Sequence, residues 1–488
     1  MIEPSTLLLA VGCGDPSVSC GDTAWFLTSA ALVLIMTPAL GFFYGGFVGR
    51  KNALATIGQS FVVLCLISVQ WVLYGYSLAF GPDWGGHGLI GTLEWAGLGG
   101  VGYAPNPAYG ATVPHLAYMI FQAMFAIITP ALITGSFVGR LKFSSFIVFT
   151  LAWATFVYDP IAHWVWGAVG AGGWLHNLGV LDFAGGSVIH INSGIAALTA
   201  AFVIGPRLGY KRTQGEAHDT TYIVLGAAFL WFGWFGFNAG SAVIAGTLAT
   251  SAFVVTNTAT AIAALSWMGM SWIFTGKPSI VGAASGAVAG LVAITPASGF
   301  VNVGGALVIG AAAGVLCFLA ARYRGRTRVD DSLDVWAVHG VGGTVGAFGT
   351  GLFATLLVNP GAANGLLYGN PAQLGIQLID IGAVWGYSFL ATGLILLAIK
   401  KTIGLRVSAK QEEEGLDATQ HGEKAYSEEV QSRLTTQTSA KLELVVKDSD
   451  REIIVEMIRK RQSLQVDLST GAITTTEKEP KDRDAEED

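Results

Sequence analysis

The sequence predicts an all-α polytopic membrane protein with eleven transmembrane helices, and three observations support this fold class. Hydrophobic residues make up 52% of the chain and charged residues only 12%, about half the charge of an average soluble domain. Apolar runs of about 20 residues, long enough to cross the hydrocarbon core of a bilayer, recur up to about residue 400. The basic residues of this part lie only in every second connection between the runs.

The apolar runs are separated by short connections rich in polar residues or glycine. We predict membrane-spanning helices near residues 24–47, 55–80, 115–138, 143–168, 183–205, 221–245, 250–274, 279–297, 303–321, 334–357 and 376–399. Because the number of helices is odd, the two ends of the membrane part lie on opposite sides of the bilayer.

The lysines and arginines predict the orientation of the chain. Up to Arg406 they all lie in alternate connections, beginning with Arg50 and Lys51, whereas the connections near 81–113 and 169–181 contain none. Cytoplasmic loops carry an excess of Lys and Arg. We therefore predict that the N-terminus is outside and the C-terminus is cytoplasmic.

Two histidines deep inside apolar runs indicate an internal repeat. His190 lies in the fifth predicted helix and His339 in the tenth, and each follows an aspartate, Asp182 or Asp331, by eight residues. Eleven helices then divide into a five-plus-five inverted repeat plus one, because two successive five-helix units insert with opposite orientation. The alternative is a coincidence between two Asp–His spacings. The repeat predicts a site near the midplane, between the two units.

The chain divides into three predicted parts. Residues 1–22 form an external N-terminal segment, in which spacing alone does not determine whether Cys13 and Cys20 pair. Residues 23–403 form the membrane domain. Residues 404–488 form a cytoplasmic tail that we expect to be partly disordered, notably from residue 474 onward, because it is polar and highly charged.

His190 and His339 are the leading candidates for function. An ionisable side chain in a membrane helix is costly, which makes it a functional candidate by default. A neutral imidazole offers one donor and one acceptor, so two rings in contact can share a proton and present polar edges to a small polar solute. The alternative is two unrelated histidines that bond neighbouring hydroxyls or carbonyls. The matched spacing favours the lining of a pore.

Aromatic residues near the predicted outer helix ends are candidates for an entrance site. These are Phe121, Phe125, Trp166 and Phe237, with the hydroxyl of Ser241 close behind in sequence. Aromatic faces attract small cations. The alternative is the belt of aromatic residues that membrane proteins place at the bilayer interface.

Asp182, at the predicted outer start of the fifth helix, has two compatible interpretations. One is an N-cap, in which the carboxylate accepts hydrogen bonds from free backbone N–H groups. The other is a source of negative potential in an outer vestibule that favours cations. Asp331 lies beside a basic cluster, and we expect it to anchor the inner surface.

Several function classes are excluded or disfavoured. The chain has no nucleotide-binding fingerprint, Walker A motif or HExxH motif, and its cysteines lack metal-ligand spacing. We therefore predict that it is not an enzyme and uses no cofactor and no metal. The formal net charge of −6 argues against a nucleic-acid partner.

At these residues the chain resembles the ammonium transporter family (Amt/Mep/Rh), most closely its bacterial Amt branch. The similarity covers nearly the whole membrane part and the beginning of the tail. The similar segments are GDTAWFLTSAALVL, FYGGFVGRKN, WVLYGYSLAFG, FQAMFAIITPALITG, PIAHWVWG, LDFAGGSVIHINSGIAAL, WFGWFGFNAGSA, DDSLDVWAVHGVGGTVGA and GLDATQHGEKAY. After about residue 430 we recognise no counterpart.

The resemblance implies a homotrimer in the cytoplasmic membrane, embedded in the lipid bilayer, that takes up ammonium or ammonia and also methylammonium. It assigns an outer ammonium site to Phe121, Phe125, Trp166 and Ser241, supported by Asp182. Phe125 and Phe237 become a pair of stacked rings that block the pore below this site. His190 and His339 become the twin histidines of the pore. A PII-type signal protein at the cytoplasmic face is a further partner that the resemblance allows.

Two other functions stay open at this point. An ammonium sensor would use the pore fold as a receptor and the C-terminal tail as its output, although the tail has no recognisable kinase or cyclase segment. A passive channel for neutral gases would conduct ammonia without current. Flux and current measurements distinguish all three.

Overall fold

The computed structural model describes residues 17–210, 217–426, 463–466 and 473–476. Within these ranges, nine helices are long and apolar enough to cross a membrane, and two shorter ones complete a set of eleven apolar helices. We number them α1 Cys20–Phe47, α2 Arg50–Phe80, α3 His115–Ser136, α4 Phe143–Trp166, α5 Gly186–Ile204, α6 Thr220–Gly240, α7 Thr247–Thr275, α8 Ile280–Ile294, α9 Val303–Arg324, α10 336–353 and α11 Pro371–Thr402. The all-helical membrane fold is confirmed, and each helix overlaps one predicted span. The count of eleven transmembrane helices, the inverted repeat and the orientation of the termini stay predictions.

Four helices contain a turn of π-helix, in which the backbone hydrogen bonds skip one residue further than in an α-helix. These turns are Trp71–Gly75, Ala154–Tyr158, Gly186–Ile191 and Trp336–Gly340. Single π turns inside α-helices occur frequently at functional sites. Two of them contain the histidines that the sequence singled out.

The packing of the bundle pairs the helices that occupy equivalent positions in the two predicted units. Helix α1 packs along α6, and α5 packs along α10. Helix α11 lies outside the two units and contacts both α5 and α10. The start of α5 therefore lies against both the start of α10 and one face of α11.

The connection between α2 and α3 carries a small antiparallel pair of strands, β1 Pro105–Asn106 and β2 Gly110–Pro114. The connection between α4 and α5 carries a short helix, Trp174–Leu178. Both connections are among those that contain no lysine or arginine. The described residues on this end of the bundle therefore form a structured cover.

The beginning of the tail is ordered and docks on the opposite end of the bundle. Its two short helices are Ala409–Glu414 and Leu416–His421. Asp417 accepts hydrogen bonds from the backbone N–H groups of Leu54 and Ala55, at 3.1 and 2.7 Å. The first compact unit of the chain consequently extends to Ala425, beyond the membrane helices.

The second compact unit, Tyr426–Asp488, contains one described antiparallel hairpin. Its strands are β3 Ser463–Val466 and β4 Ile473–Thr476. The sequence predicted disorder from residue 474 on, whereas residues 474–476 lie in β4. Cys13, whose pairing with Cys20 the spacing leaves undetermined, lies outside the described residues.

Candidate functional site

The two predicted pore histidines face each other in the interior. Nδ1 of His190 and Nδ1 of His339 are 3.2 Å apart, and the rings are nearly stacked, with centroids 5.3 Å apart. Both side chains are buried. Two neutral imidazoles make this bond only when one Nδ1 donates and the other accepts. The two Nε2 atoms therefore differ, one being a donor and the other an acceptor.

Close backbone contacts bring the two histidines together. A Cβ atom at Gly194 would lie 2.1 Å from the backbone nitrogen of Gly340. A Cβ atom at Gly343 would lie 3.0 Å from the carbonyl oxygen of Gly186. Small residues allow this approach of helices in lipid, so α5 and α10 cross with their backbones in contact next to His190.

Asp182 caps the start of α5 with both carboxylate oxygens. Oδ1 accepts the N–H groups of Gly185 and Gly186 at 2.9 and 2.6 Å, and Oδ2 accepts those of Ser187 and Val188 at 2.8 and 3.2 Å. Asp182 thus accepts the free N–H groups at the helix start, as an N-cap side chain would, although the N-cap residue itself is Gly185. The side chain is only 7% exposed, so any electrostatic effect on a cation acts through the capped loop rather than by open contact with solvent.

Asp331 occupies the equivalent place before α10. Its Oδ2 accepts the N–H of Trp336 at 2.7 Å, while its Oδ1 has no hydrogen-bond partner among the described residues. Burial, and next the charge of Asp334, raise the pKa of the Asp331 carboxyl to about 7. Both aspartates that precede the histidines in sequence therefore cap the start of a helix that begins with a π turn. The carboxylate of Asp182 accepts more hydrogen bonds there than that of Asp331.

A continuous row of aromatic rings leads to the histidine pair. The ring of Phe121 lies 4.8 Å from that of Phe125, which stacks on Phe237 at 4.3 Å and 29°. The ring of Phe237 lies 6.0 Å from the imidazole of His190, and the ring of Trp234 lies 5.3 Å from it. All these phenylalanines are buried. The predicted entrance residues and the predicted pore residues are thus parts of one row.

Trp166 and Ser241 flank the same row. The indole of Trp166 lies edge-on to Phe125 at 6.1 Å, and its Nε1 donates to the carbonyl oxygen of Asp182 at 3.0 Å. The hydroxyl of Ser241 donates to the carbonyl oxygen of Phe237 at 2.8 Å. This bond uses the hydroxyl hydrogen and leaves the Ser241 oxygen free to accept. Each predicted site residue therefore lies at or beside the aromatic row.

A buried arginine connects several loops at the end of the bundle where the connections contain lysine and arginine. Arg140 is fully buried and donates to the carbonyl oxygens of Gly205 and Asp330 at 2.9 and 2.6 Å and to the hydroxyl of Ser332 at 2.7 Å. The Asp330 carboxylate in turn pairs with Arg207 at 2.8 Å. Burial lowers the pKa of Arg140 to about 10, against the opposing effect of Asp330. Arg140 therefore joins its own loop to the segment at Gly205 and to the loop that contains Asp330 and Ser332.

Sequence reasoning missed one buried carboxyl group beside the site. Asp380 lies within the predicted span 376–399, is completely buried, and accepts a hydrogen bond from the hydroxyl of Ser187. The sequence signal that could have identified Asp380 is that it is an acidic residue inside an apolar run. In the described part of the chain, no three histidine, cysteine, aspartate or glutamate side chains cluster as metal ligands would.

Comparison with known proteins identifies the family. The profile of the Ammonium Transporter Family matches residues 24–426, which is most of the chain. The chain belongs to the ammonium transporter family.

Individual members agree with this assignment over most of their length. An ammonium transporter of Bacillus subtilis is 46% identical over 409 residues, covering 84% of this chain and 99% of that protein. The crystal structure of Saccharomyces cerevisiae Mep2 superposes with a TM-score of 0.77 at 37% identity, covering 81% of this chain and 89% of Mep2. A solved sensor Amt protein superposes with a TM-score of 0.75 at 29% identity, covering 82% and 98%. The solved structures similar to this chain therefore include one described as a sensor.

Proposed function

We propose that this protein transports ammonium or ammonia across the cytoplasmic membrane, and accepts methylammonium as well. The single observation that carries the proposal is the contact between Nδ1 of His190 and Nδ1 of His339 at the end of a row of aromatic rings. Membership in a family of ammonium transporters supports it.

Recruitment takes place at the entrance of the row. Phe121, Phe125 and Trp166 offer aromatic surface to a small cation, and a cation–π contact is worth about 0.5–2 kcal/mol. The Ser241 oxygen accepts a hydrogen bond from the ammonium ion, in place of a water molecule that the ion has lost. Asp182 supports the site by holding the loop whose carbonyl oxygen bonds the Trp166 indole.

Passage requires that the ion lose its charge. A bare cation in an apolar lumen faces a large desolvation cost. Neutral ammonia is polar but carries no net charge, so its desolvation costs less. The ion therefore gives up its proton at or below the entrance site, and ammonia moves past the Phe125–Phe237 pair, whose rings must part. Beyond it, the free Nε2 edge of His190, which has no partner among the described residues, hydrogen-bonds the ammonia molecule.

The assembly that fits this function is a homotrimer with one pathway in each subunit. The N-terminus of each subunit is outside and the tail is in the cytoplasm, as the basic loops predict, and the two repeated units have opposite orientations. The tail helices Ala409–Glu414 and Leu416–His421 then lie at the cytoplasmic face. This is the surface available to a PII-type signal protein.

Electrode currents from proteoliposomes pulsed with ammonium, methylammonium or potassium test the proposal. We expect currents with ammonium and smaller currents with methylammonium, and none with potassium, because only the first two can release a proton and pass as a neutral amine. Fast ammonia flux without current would instead favour a passive gas channel. A potassium current as large as that with ammonium would contradict the proposal.

An ammonium sensor is the second candidate, and the structural similarity to a sensor Amt protein is the observation that favours it. Its pathway would bind ammonium and change the tail without sustained flux. Tight ammonium binding to the purified protein, measured by calorimetry, together with no current in the same liposomes would favour the sensor.

A further inference from the structure

Asp380 lies about one third of the way along α11, on the side that faces the start of α5. Its side chain has no exposed surface. The hydroxyl of Ser187 donates to Oδ2, and Oδ1 has no hydrogen-bond partner within the described residues. A buried carboxyl group in a membrane helix is costly and is retained where it has a role. None of the steps proposed above uses it.

Asp380 belongs to a polar stripe on α11 that also includes Gln373 and Gln377. These positions are spaced by four and three residues, so they share one helix face. The Gln377 side chain bonds both the N–H and the carbonyl oxygen of Leu181 at 2.9 Å, and Gln373 donates to the carbonyl oxygen of Gly179 at 3.0 Å. The stripe therefore holds the segment that carries Asp182.

Ser187 connects the two carboxyl groups directly. Its backbone N–H donates to Oδ2 of Asp182 at 2.8 Å, while its hydroxyl donates to Oδ2 of Asp380. Asp182 receives four backbone N–H groups in all, whereas Asp380 receives one hydroxyl. Hydrogen bonds to the charged form favour ionisation, and a neighbouring negative charge disfavours it. Of the two, Asp182 is the one equipped to carry the negative charge.

The surroundings of Asp380 offer no competing counter-charge in the part of the chain that the structure describes. Helix α11 packs against α4, α5, α10 and the turn Leu366–Tyr368. On these elements and the loops that lead into them, Asp182 is the titratable group that Ser187 connects to Asp380.

We propose, on the basis of the transport function proposed above, that Asp380 holds a proton while Asp182 is ionised, so that the pair carries one negative charge beside the outer ammonium site. Asp380 is then a positioning residue, which acts on the site through Ser187 and Asp182. Raising the external pH removes the proton from Asp380 and adds a second negative charge. The site consequently binds ammonium more tightly when the medium is alkaline and ammonium ions are scarce.

The pH dependence of the ammonium current tests this proposal in proteoliposomes. We compare the wild type with Asp380→Asn, which keeps an acceptor for Ser187 but does not titrate. Ser388→Ala is the matched control, because Ser388 lies on the same buried face of α11 and bonds the Asn192 carbonyl oxygen, but is not acidic. The half-saturating concentration is expressed as ammonium ion, so that the solution equilibrium with ammonia does not enter.

We expect the half-saturating ammonium concentration of the wild type and of Ser388→Ala to fall about tenfold between pH 6 and pH 9, the size of effect that a nearby charge produces in partly buried surroundings. We expect no such fall for Asp380→Asn. The proposal is overturned if Asp380→Asn keeps the pH dependence of the wild type. It is also overturned if a wild type that conducts normally shows no such pH dependence.

Infrared difference spectroscopy of the purified protein tests the same proposal without transport. At pH 6 the wild type is expected to show the carbonyl stretch of protonated carboxylic acids, with one component that is lost in Asp380→Asn and persists in Asp182→Asn and in Asp331→Asn. Ser187→Ala removes the hydrogen bond and shifts that band while leaving both acids in place. Identical spectra for the wild type and Asp380→Asn overturn the proposal. If the wild type has the band but carries no current, the transport function fails and the protonation of Asp380 stands.

Discussion

The backbone of Gly194 in α5 lies directly against the backbone of Gly340 in α10, with no space between them for a side chain. A Cβ atom built on Gly194 would be 2.1 Å from the Gly340 nitrogen and 2.4 Å from its Cα. Gly340 immediately follows His339, and Gly194 lies one helical turn after His190. The contact between the two glycines therefore sets the distance between the two imidazoles.

Gly194→Ala should separate α5 from α10. Since the methyl group meets backbone rather than a flexible side chain, we expect a loss of stability of about 3 kcal/mol and loss of most of the ammonium current. Melting of the purified protein and current in proteoliposomes measure the two effects. Gly382→Ala is the control, because open space surrounds that glycine. Wild-type current and melting in Gly194→Ala would show that the helices do not depend on this contact.

Replacing both His190 and His339 with leucine should abolish the ammonium current. The lumen would keep its size but lose the only pair of polar edges that the described aromatic row leads to. Unpaired ammonia in an apolar passage loses its hydrogen bonds with water without replacement. Proteoliposome currents check this, with protein yield and oligomer size as controls. An ammonium-selective current that survives both replacements would contradict the loss of the proton before passage.

Asp182→Ala should lower both stability and transport, and Asp182→Asn should do so nearly as strongly. An asparagine side chain has one oxygen, so its amide group would face the N–H groups of Ser187 and Val188 as a second donor. Four hydrogen bonds to a carboxylate depend on this side chain, and losing even part of them costs at least about 2 kcal/mol. Asp182→Glu tests the geometry with the charge kept. Normal melting of Asp182→Asn would show that the stability of the fold does not depend on the four hydrogen bonds of this cap.

Much of this arrangement follows from the sequence, and the exceptions have physical reasons. The apolar runs predicted the nine described helices that are long enough to cross a membrane, because lipid requires about twenty apolar residues whatever the tertiary contacts are. The Asp–His spacing predicted the pair of His190 and His339, because an ionisable group in an apolar run is costly and is kept where it has a function. The π turns and the glycine contact that orient the imidazoles depend on the partner helix, which no local pattern reveals.

Asp380 is a different case, because its signal was present in the sequence. It is an acidic residue inside a predicted span, like the histidines, but that span lies outside the two repeated units and so offers no matched position to compare. Its partner Ser187 lies far away in sequence, and serine is common in helices of every kind. The polar stripe of α11 becomes visible only when the segment before α5 is seen to lie against it.

Asp331→Asn should stabilise the protein increasingly as the pH rises. The unfolded chain releases this proton near the usual pKa of 3.8, whereas the folded protein holds it up to about pH 7. Folded protein therefore binds more protons between these values, and its stability falls as the pH rises through this window. Asparagine does not titrate and avoids this loss, which is at most about 4 kcal/mol. Melting temperatures at pH 5 and pH 8 measure it, and an equal difference at both values would contradict the buried proton.

The proximal and distal parts of the tail should differ in their effect on transport. Asp417 caps the beginning of α2 through the N–H groups of Leu54 and Ala55, and Glu412 bonds the N–H of Leu208 and pairs with Arg406. Asp417→Ala removes the first of these attachments, so we expect weaker docking of the tail helices and a reduced ammonium current.

Truncation after Lys441 keeps all of these contacts and should leave the current nearly unchanged. Proteoliposome currents of the two variants, normalised to the amount of inserted protein, make the comparison, and Lys410→Ala serves as the control because its ion pair with Glu414 is exposed. Loss of current on truncation would assign the distal tail a part in transport. Full current in Asp417→Ala would mean that the docked helices serve regulation alone, because the pathway from Phe121 to His339 would then work without them.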